Sequence, residues 1–309
     1  MGALLIRRML AGVIVIWGVV TMVFVILRVL PGDPAALMLG MDATPQALEA
    51  LRRQMGLDRP IPVQYALFLW DVTRGNFGTS VGLSTMDEPA LQLVLERVPA
   101  TLELAIPALV LAVLIALPLG MIAATYVNSF WDRLISALTL GAQSLPNFWV
   151  GLMLILVLAR NLGVLPTSGR GAWQQMVMPI ATLSLPLMSV LTRFVRAGML
   201  ENLRMDYVRT ARAKVLVEWA VRFRHIFKNI LIPIVTTVGL QAGALLGGSV
   251  VVETVFAWPG MGRLTADAIL RRDYPVVQAG VLVIALIIVL VNLLVDLIYS
   301  ILDPRISFK

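Results

Sequence analysis

The side chains able to do chemistry are few in this sequence and widely scattered. It has no cysteine, hence no disulfide, no thiolate metal ligand and no Cys nucleophile. Its single histidine, His225, leaves little scope for an imidazole metal or acid–base cluster. Ser144 and Ser184 are the candidate nucleophiles of an intramembrane enzyme, but the histidine that would activate them sits in a distant charged segment. No G-x-x-x-x-G-K-[ST] run is present to cradle the phosphates of ATP. The ionisable residues nearest the apolar runs, Arg28, Glu103, Glu253 and Asp296, fall toward the ends of those runs. Snorkelling or interfacial pairing suits such positions, whereas a proton-coupled mechanism wants an acid at the midplane. What remains is polarity inside apolar runs: Gln143, Ser144 and Asn147 in "LGAQSLPNFWVG", and Ser184 in "MPIATLSLPLMS". Pro146, Pro179 and Pro186 accompany them and release backbone groups that neighbouring helices or a watery path must satisfy. Two roles fit these four residues, the lining of a translocation path and interhelical hydrogen bonding at kinks.

The elements that must position them follow from composition. Of 309 residues, 59% are hydrophobic and 14% charged, with a mean hydropathy of +0.88. A soluble domain carries about 25% charged residues. Apolar runs long enough to cross a bilayer occur at Met9–Leu27, Ala105–Ala124, about 135–159, about 176–191, Ile234–Val252 and Ala279–Val295. Because lipid-exposed backbone must satisfy its own hydrogen bonds, all are read as helices, giving an all-α polytopic membrane protein with six transmembrane helices. The first run follows Arg7 and Arg8 as a signal peptide would, but "RVLPGDP" after it is no cleavage site, so residues 1–30 are expected to be an uncleaved anchor.

Orientation is read from lysine and arginine. With the N-terminus inside, the inner segments hold Arg7, Arg8, Arg133, the nine Lys/Arg from Arg193 to Lys228, Arg305 and Lys309. The segment 31–100 then lies outside, with eight acidic residues against five basic ones. Both termini are therefore expected to be cytoplasmic, with a short tail at 303–309. Residues 31–96 are expected to form a small outer subdomain. Within it "TPQALEALRRQMG" reads as a short helix, with Thr44 as N-cap, Pro45 at the first helical position and Gly56 past its end. Leu48, Leu51 and Met55 mark its apolar face, and a second amphipathic piece, "EPALQLVLERVPATLEL", leads into the second span. Trp70 and Phe77 read as interface anchors or packing, and the small residues Gly239, Gly243, Gly247 and Gly248 as a surface for close helix approach.

The inner segment 193–231 contains most of the charged stretch Asp206–Pro233. Leu216, Trp219, Ala220, Phe223 and Phe227 recur at spacings of three and four, with Arg212, Glu218, Arg222 and Lys228 between them. That is an amphipathic helix pattern. Its physics suits a helix on anionic lipid, a solvated loop, or a helix laid into a groove of a partner protein.

Seven segments in order give a resemblance that covers nearly the whole chain. They are "LPGDP" at 30–34, "VPATLELA" at 98–105, "LPTSG" at 165–169, "DYVRTARAK" at 206–214, "LGGSVVVETVFAWPGMGRL" at 246–264, "RDYPVVQAG" at 272–280 and "LDPRI" at 302–306. Together they resemble ABC-importer permeases of the branch that handles dipeptides, oligopeptides, nickel and glutathione. The resemblance implies a type I ABC importer permease fold, with a core at 97–302. It implies a loop motif at Arg209–Pro233 that docks in a cleft of a cytoplasmic ATPase, with Ala211 and Ala213 as its small residues. Leu216 and Trp219 fall on the face implied to meet that ATPase. Val215 stands where the family usually has glycine, which tolerates positive φ at less cost than a β-branched residue. The implied partners are a second homologous permease, two ATP-binding subunits and an extracytoplasmic substrate-binding protein, within the lipid of a bacterial inner membrane. No cofactor is implied in this chain, ATP belonging to the partner subunits, and no nucleic acid partner. The chain is then not an enzyme. The rival from another class is an ion-gradient-driven secondary transporter or channel, which accounts for the spans and leaves the basic helix without a task.

Overall fold

The computed structural model describes residues 2–29, 36, 44–54, 56–80, 83, 88–214 and 217–302. The helices are α1 (Gly2–Val29), α2 (Pro45–Gln54), α3 (Ile61–Thr73), α4 (Ala90–Thr125), α5 (Phe130–Ser144), α6 (Asn147–Leu154), α7 (Gln174–Asn202), α8 (Asp206–Ala213), α9 (Phe227–Val255), α10 (Met261–Arg271) and α11 (Tyr274–Leu302). Two π-helical stretches, Ile155–Asn161 and Val221–Ile226, continue α6 and precede α9, and a single turn occupies Glu218–Ala220. An isolated bridge between Thr79 and Pro89 is the β pairing among the described residues.

Among the described residues, five helices are long and apolar enough to cross a membrane: Ile6–Ile26, Ala90–Thr125, Gln174–Asn202, Pro233–Val255 and Tyr274–Ile298. They fall on the first, second, fourth, fifth and sixth predicted spans. The third, expected as one helix over about 135–159, is instead two arms, Phe130–Ser144 and Asn147–Asn161, bent by 102°. The cause is local. Leu145, as the residue before Pro146, is driven out of the helical region and stands at φ −84, ψ 129. Pro146 then starts the next arm at φ −64, ψ 137, where its missing N–H costs nothing. The second span also differs. The amphipathic piece before it joins it without a break, so α4 runs 36 residues, about 54 Å at 1.5 Å per residue.

The chain divides into two compact units. One comprises Gly2–Ala100 and Pro259–Val289. There Phe24 of α1 packs edge-on against Tyr65 at 5.2 Å between centroids, and Thr21 Oγ1 lies 2.7 Å from the Tyr65 hydroxyl. Its core gathers Ala90 and Val94 of α4, Met261 and Ala268 of α10, and Val276, Ala279 and Val283 of α11. Ser80 Oγ donates to Asp273 Oδ2 at 2.5 Å, and both side chains are buried. α2 matches its sequence signature: the Ala47 amide donates to Thr44 Oγ1 at 3.2 Å and Gly56 has φ +64. The side chain of Leu51, all of Met55, all of "LPGDP" and residues 303–306 of "LDPRI" lie outside the described residues.

The second unit comprises Thr101–Trp258 with the chain from Leu290 onward. Its core joins Ala124 of α4, Val195 and Met199 of α7, Val208 and Ala211 of α8, Val221 and Ile226 of the π-helical stretch, and Ile230 and Ile234 of α9. α4 and α7 approach closely at Gly120, where an added Cβ would stand 2.8 Å from the Thr192 carbonyl and 2.6 Å from Val195 Cβ. Glu253, expected at a membrane interface, is instead fully buried. It accepts a hydrogen bond from Thr101 Oγ1 at 2.7 Å, because α9 continues past the predicted end of its span and carries the carboxylate into the unit's interior. Glu103 does pair as a carboxylate near a span end should, with Arg170 Nε and Nη2 at 2.8 and 2.6 Å.

Candidate coupling loop and translocation site

The loop after α7 is built from both ends. Asn202 closes α7 with its Nδ2 on the Gly198 carbonyl at 2.9 Å and accepts from the Tyr207 hydroxyl at 2.7 Å, holding the first turn of α8. Val208 and Ala211 form the inward face of α8. Val221, Ile226 and Ile230 form that of the π-helical stretch and the start of α9. A charge cluster closes the other side. Arg212 Nε and Nη2 donate to Glu218 at 2.8 and 3.4 Å, Arg222 Nε lies 3.5 Å from the same carboxylate, and Arg222 Nη1 donates to Thr125 Oγ1 at 3.3 Å. The Arg212 hydrogen bond, against a smaller opposing effect of burial and with the charges of Arg212 and Arg222, holds the Glu218 carboxyl below its ordinary value. Outside the spans, Arg170 is pushed upward by its hydrogen bonds to Glu103.

The predicted residues of this loop separate clearly. Arg209 is exposed, with Asp206 at 3.6 Å, Ala211 is buried and Ala213 is exposed. Val215 and Leu216 lie outside the described residues. Trp219 is 68% exposed and stacks on Phe223 at 5.0 Å between centroids. Pro233 lies inside α9, and its carbonyl accepts from Thr237 Oγ1 at 2.9 Å. The apolar face read from the sequence is thus partly the outward one. The buried residues are Val221 and Ile226, which the three-and-four spacing passed over because Val221–Ile226 is π-helical. One π-bulge rotates everything after it by about one α-helical residue, roughly 100°.

The four polar residues of the spans also separate. Ser184 is buried and its hydroxyl returns to the Ala181 carbonyl at 3.0 Å. Ser144 is exposed and bonds the Leu140 carbonyl at 2.9 Å. Asn147 opens α6, with its amide nitrogen against α9 at Gly248. Gln143 Oε1 accepts from Arg193 Nη1 at 2.8 Å, at the wall of a cavity of about 680 Å³ between α5 and α7. Ser136, Leu140, Val190 and Phe194 line it too, as does Arg196, whose Nε and Nη2 bind Asp132 at 2.6 and 2.8 Å. Neither Asp132, Arg193 nor Arg196 was singled out for this wall from the sequence. The partners stand 64 and 50 residues apart, and only the packing of α5 on α7 brings them together.

Comparison with known proteins gives this arrangement its family. The binding-protein-dependent transport system inner membrane component profile matches residues 116–308, and the N-terminal profile of the same kind of protein matches residues 1–105. The chain belongs to that family, as a permease of ABC importers. The permease is 41% identical over 304 residues to the glutathione transport system permease protein of Escherichia coli strain K12, covering 98% of each chain. It is 41% identical over 303 residues to the protein of that name from Salmonella paratyphi A, again over 98% of each. Among solved structures, a chain of the MetNI methionine ABC transporter in an inward-facing conformation superposes with a TM-score of 0.58 over 71% of this permease and all of that chain, at 18% identity. That likeness shows the fold over the matched part of the chain.

Proposed function

We propose that this permease forms the membrane path of an ATP-driven importer of small peptides, glutathione being a tripeptide of that class, and that Arg209–Pro233 receives the motion of a separate ATPase. The observation that carries it is the exposed aromatic pair Trp219–Phe223, with Val217 also exposed, on a loop whose other face is anchored by buried Val208, Ala211, Val221 and Ile226. A loop so held moves as a rigid body with the spans it joins, and a stacked aromatic pair is the kind of anchor that fills a pocket on a partner. Arg209, Ala213 and Trp219 supply the outward face; Val215 and Leu216, outside the described residues, are assigned to the loop by sequence alone.

In this reading the core spans residues 97–302, and Gln143, Ser144, Asn147 and Ser184 belong to the walls of the path. Both termini and the coupling loop lie in the cytoplasm of a bacterium, and segment 31–96 faces outward toward a substrate-binding protein. The assembly is completed by a second homologous permease and two ATP-binding subunits, which carry the nucleotide chemistry. ATP closure of those subunits pulls on the coupling loops and switches access from outside to inside. The relatives' transport of glutathione and the basic composition of the loop support the substrate class and the orientation. Uptake of a labelled dipeptide by cells expressing the complete system tests it. Loss on ATP depletion with the ion gradients clamped is expected. Loss on uncoupling with ATP maintained would favour the gradient-driven transporter instead.

A further inference from the structure

We propose that the cavity between α5 and α7 is a carboxylate-binding station for the transported solute, with the Arg193 guanidinium as its receiving charge. This rests on the importer reading and names the group on the solute that the path recognises.

The two arginines of the wall differ in how their charge is met. Arg196 is bound through two nitrogens by Asp132, which is 5% exposed and also accepts from the Asn128 amide and the Ser136 hydroxyl. That pair is neutral as a unit. Arg193 donates one N–H to the amide oxygen of Gln143 at 2.8 Å, and a neutral amide leaves the positive charge in place. Among the described residues no carboxylate pairs with Arg193.

Its position makes that unmet charge informative. Arg193 is five residues past the middle of α7, Gln174–Asn202, so it stands about 8 Å along the axis from the helix midpoint. By the orientation read from lysine and arginine it opens the inner segment, at the cytoplasmic end of the path, with its side chain exposed to what passes there. It lines an open cleft of about 680 Å³ between the two helices, a volume within the range of about 300–1,000 Å³ typical of small-molecule sites. The remaining wall is suited to a peptide: Leu140, Val190 and Phe194 present apolar surface for side chains, and Ser136 adds a hydroxyl. Gln143 restrains the guanidinium from the facing helix, so the planar fork is oriented before a ligand arrives. Four of its five N–H donors stay outside that bond, and the fork matches a carboxylate two oxygens at a time. A peptide with a free C-terminus keeps that carboxylate ionised at neutral pH.

The absence of cysteine from the chain gives a clean test. The complete importer, with its binding protein and ATPases, is reconstituted in proteoliposomes with Arg193→Cys or unaltered permease. The probes are dialanine and dialanine C-terminal amide, and each variant's rate is taken relative to the unaltered complex for the same probe, which cancels the preference of the binding protein. Arg193→Cys is expected to lower dialanine uptake by about tenfold or more, the scale of one lost charge-assisted bond, and amide uptake by less than about twofold. Aminoethyl methanethiosulfonate, which restores a cation, is expected to recover dialanine uptake. The hydroxyethyl and sulfonatoethyl reagents are expected to leave it low. Equal loss for both probes, recovery by the neutral reagent, or no loss at all would overturn the proposal. A loss that appears only in vesicles containing anionic lipid would also overturn it, since the charge would then be holding a headgroup. If the unaltered complex shows no ATP-driven uptake of either probe, the importer reading itself fails, and that outcome is visible before any variant is compared.

Discussion

Replacing Trp219 by alanine should weaken ATPase binding by about two orders of magnitude while leaving the permease folded. The indole is 68% exposed, and a tryptophan of about 200 Å² therefore offers about 140 Å² to a partner. At roughly 25 cal/mol per Å² its burial is worth about 3.5 kcal/mol, of which alanine keeps little, so a loss near 3 kcal/mol is expected. That corresponds to a rise in Kd of about 150-fold. The fold should not share the loss, because Trp219 contacts Phe223 at the surface while the anchoring residues Val208, Val221 and Ile226 lie on the other face. The assay immobilises detergent-solubilised permease and measures ATPase-subunit binding by surface plasmon resonance, with thermal unfolding of each variant recorded in parallel. A Kd within about threefold of the unaltered protein, at an unchanged melting temperature, would refute this placement of the contact face. Trp219→Asp should go further and abolish uptake while the chain remains in the membrane.

The same contacts set other outcomes. Gly120→Ala should lower the melting temperature, at a cost of about 1–3 kcal/mol, because its Cβ would press on the Thr192 carbonyl and on the β-branched Val195, neither of which can retreat without moving α7. Asp132→Ala strands Arg196 in a part-buried wall and should destabilise by about 2–4 kcal/mol, read in the same melt, whereas substitution of Glu49 in its exposed pair with Arg53 should change nothing measurable. Glu218 has its carboxyl pKa depressed by Arg212, so the stability it lends the loop is present above the unfolded carboxylate value and is lost as pH falls through the folded one. Hydrogen exchange over residues 206–226, corrected for intrinsic rates, should accordingly be slowed equally from pH 8 to 5 and quicken by no more than about fivefold as pH falls through the folded value, since a half-exposed pair is worth about 0–1 kcal/mol. Glu218→Gln should show that modest quickening at every pH. Val215→Gly, which installs the glycine that the resemblance implies at that position, should preserve or raise coupled ATPase activity, and a large loss in the assembled complex would count against that.

The spans were legible because their signal is local. Long apolar runs identify themselves, and Thr44, Pro45 and Gly56 declared α2 by cap chemistry alone. Pro146 was visible as well, but whether a proline kinks a membrane helix or folds it through 102° depends on what the second arm packs against, and here that is α9 together with α7. The three-and-four spacing through the coupling loop did not reveal the buried Val221 and Ile226, because the π-helical stretch Val221–Ile226 breaks that periodicity. The Asp132–Arg196 and Gln143–Arg193 pairs carry no local signature, since each joins residues from different helices. Glu253 illustrates the same limit, because a carboxylate near a span end looks interfacial until Thr101 is found beside it. The resemblance through seven ordered motifs reached the family without any of these contacts.

The most direct test is to extract the chain from native membranes in mild detergent and identify by mass spectrometry what remains bound after crosslinking. Recovery of a second permease together with ATP-binding subunits, with crosslinks from Arg209–Pro233 to the ATPase, is the predicted result. A chain that emerges alone, or whose crosslinks from that loop reach only lipid, would contradict it and leave the exposed Trp219–Phe223 pair as a membrane-surface anchor.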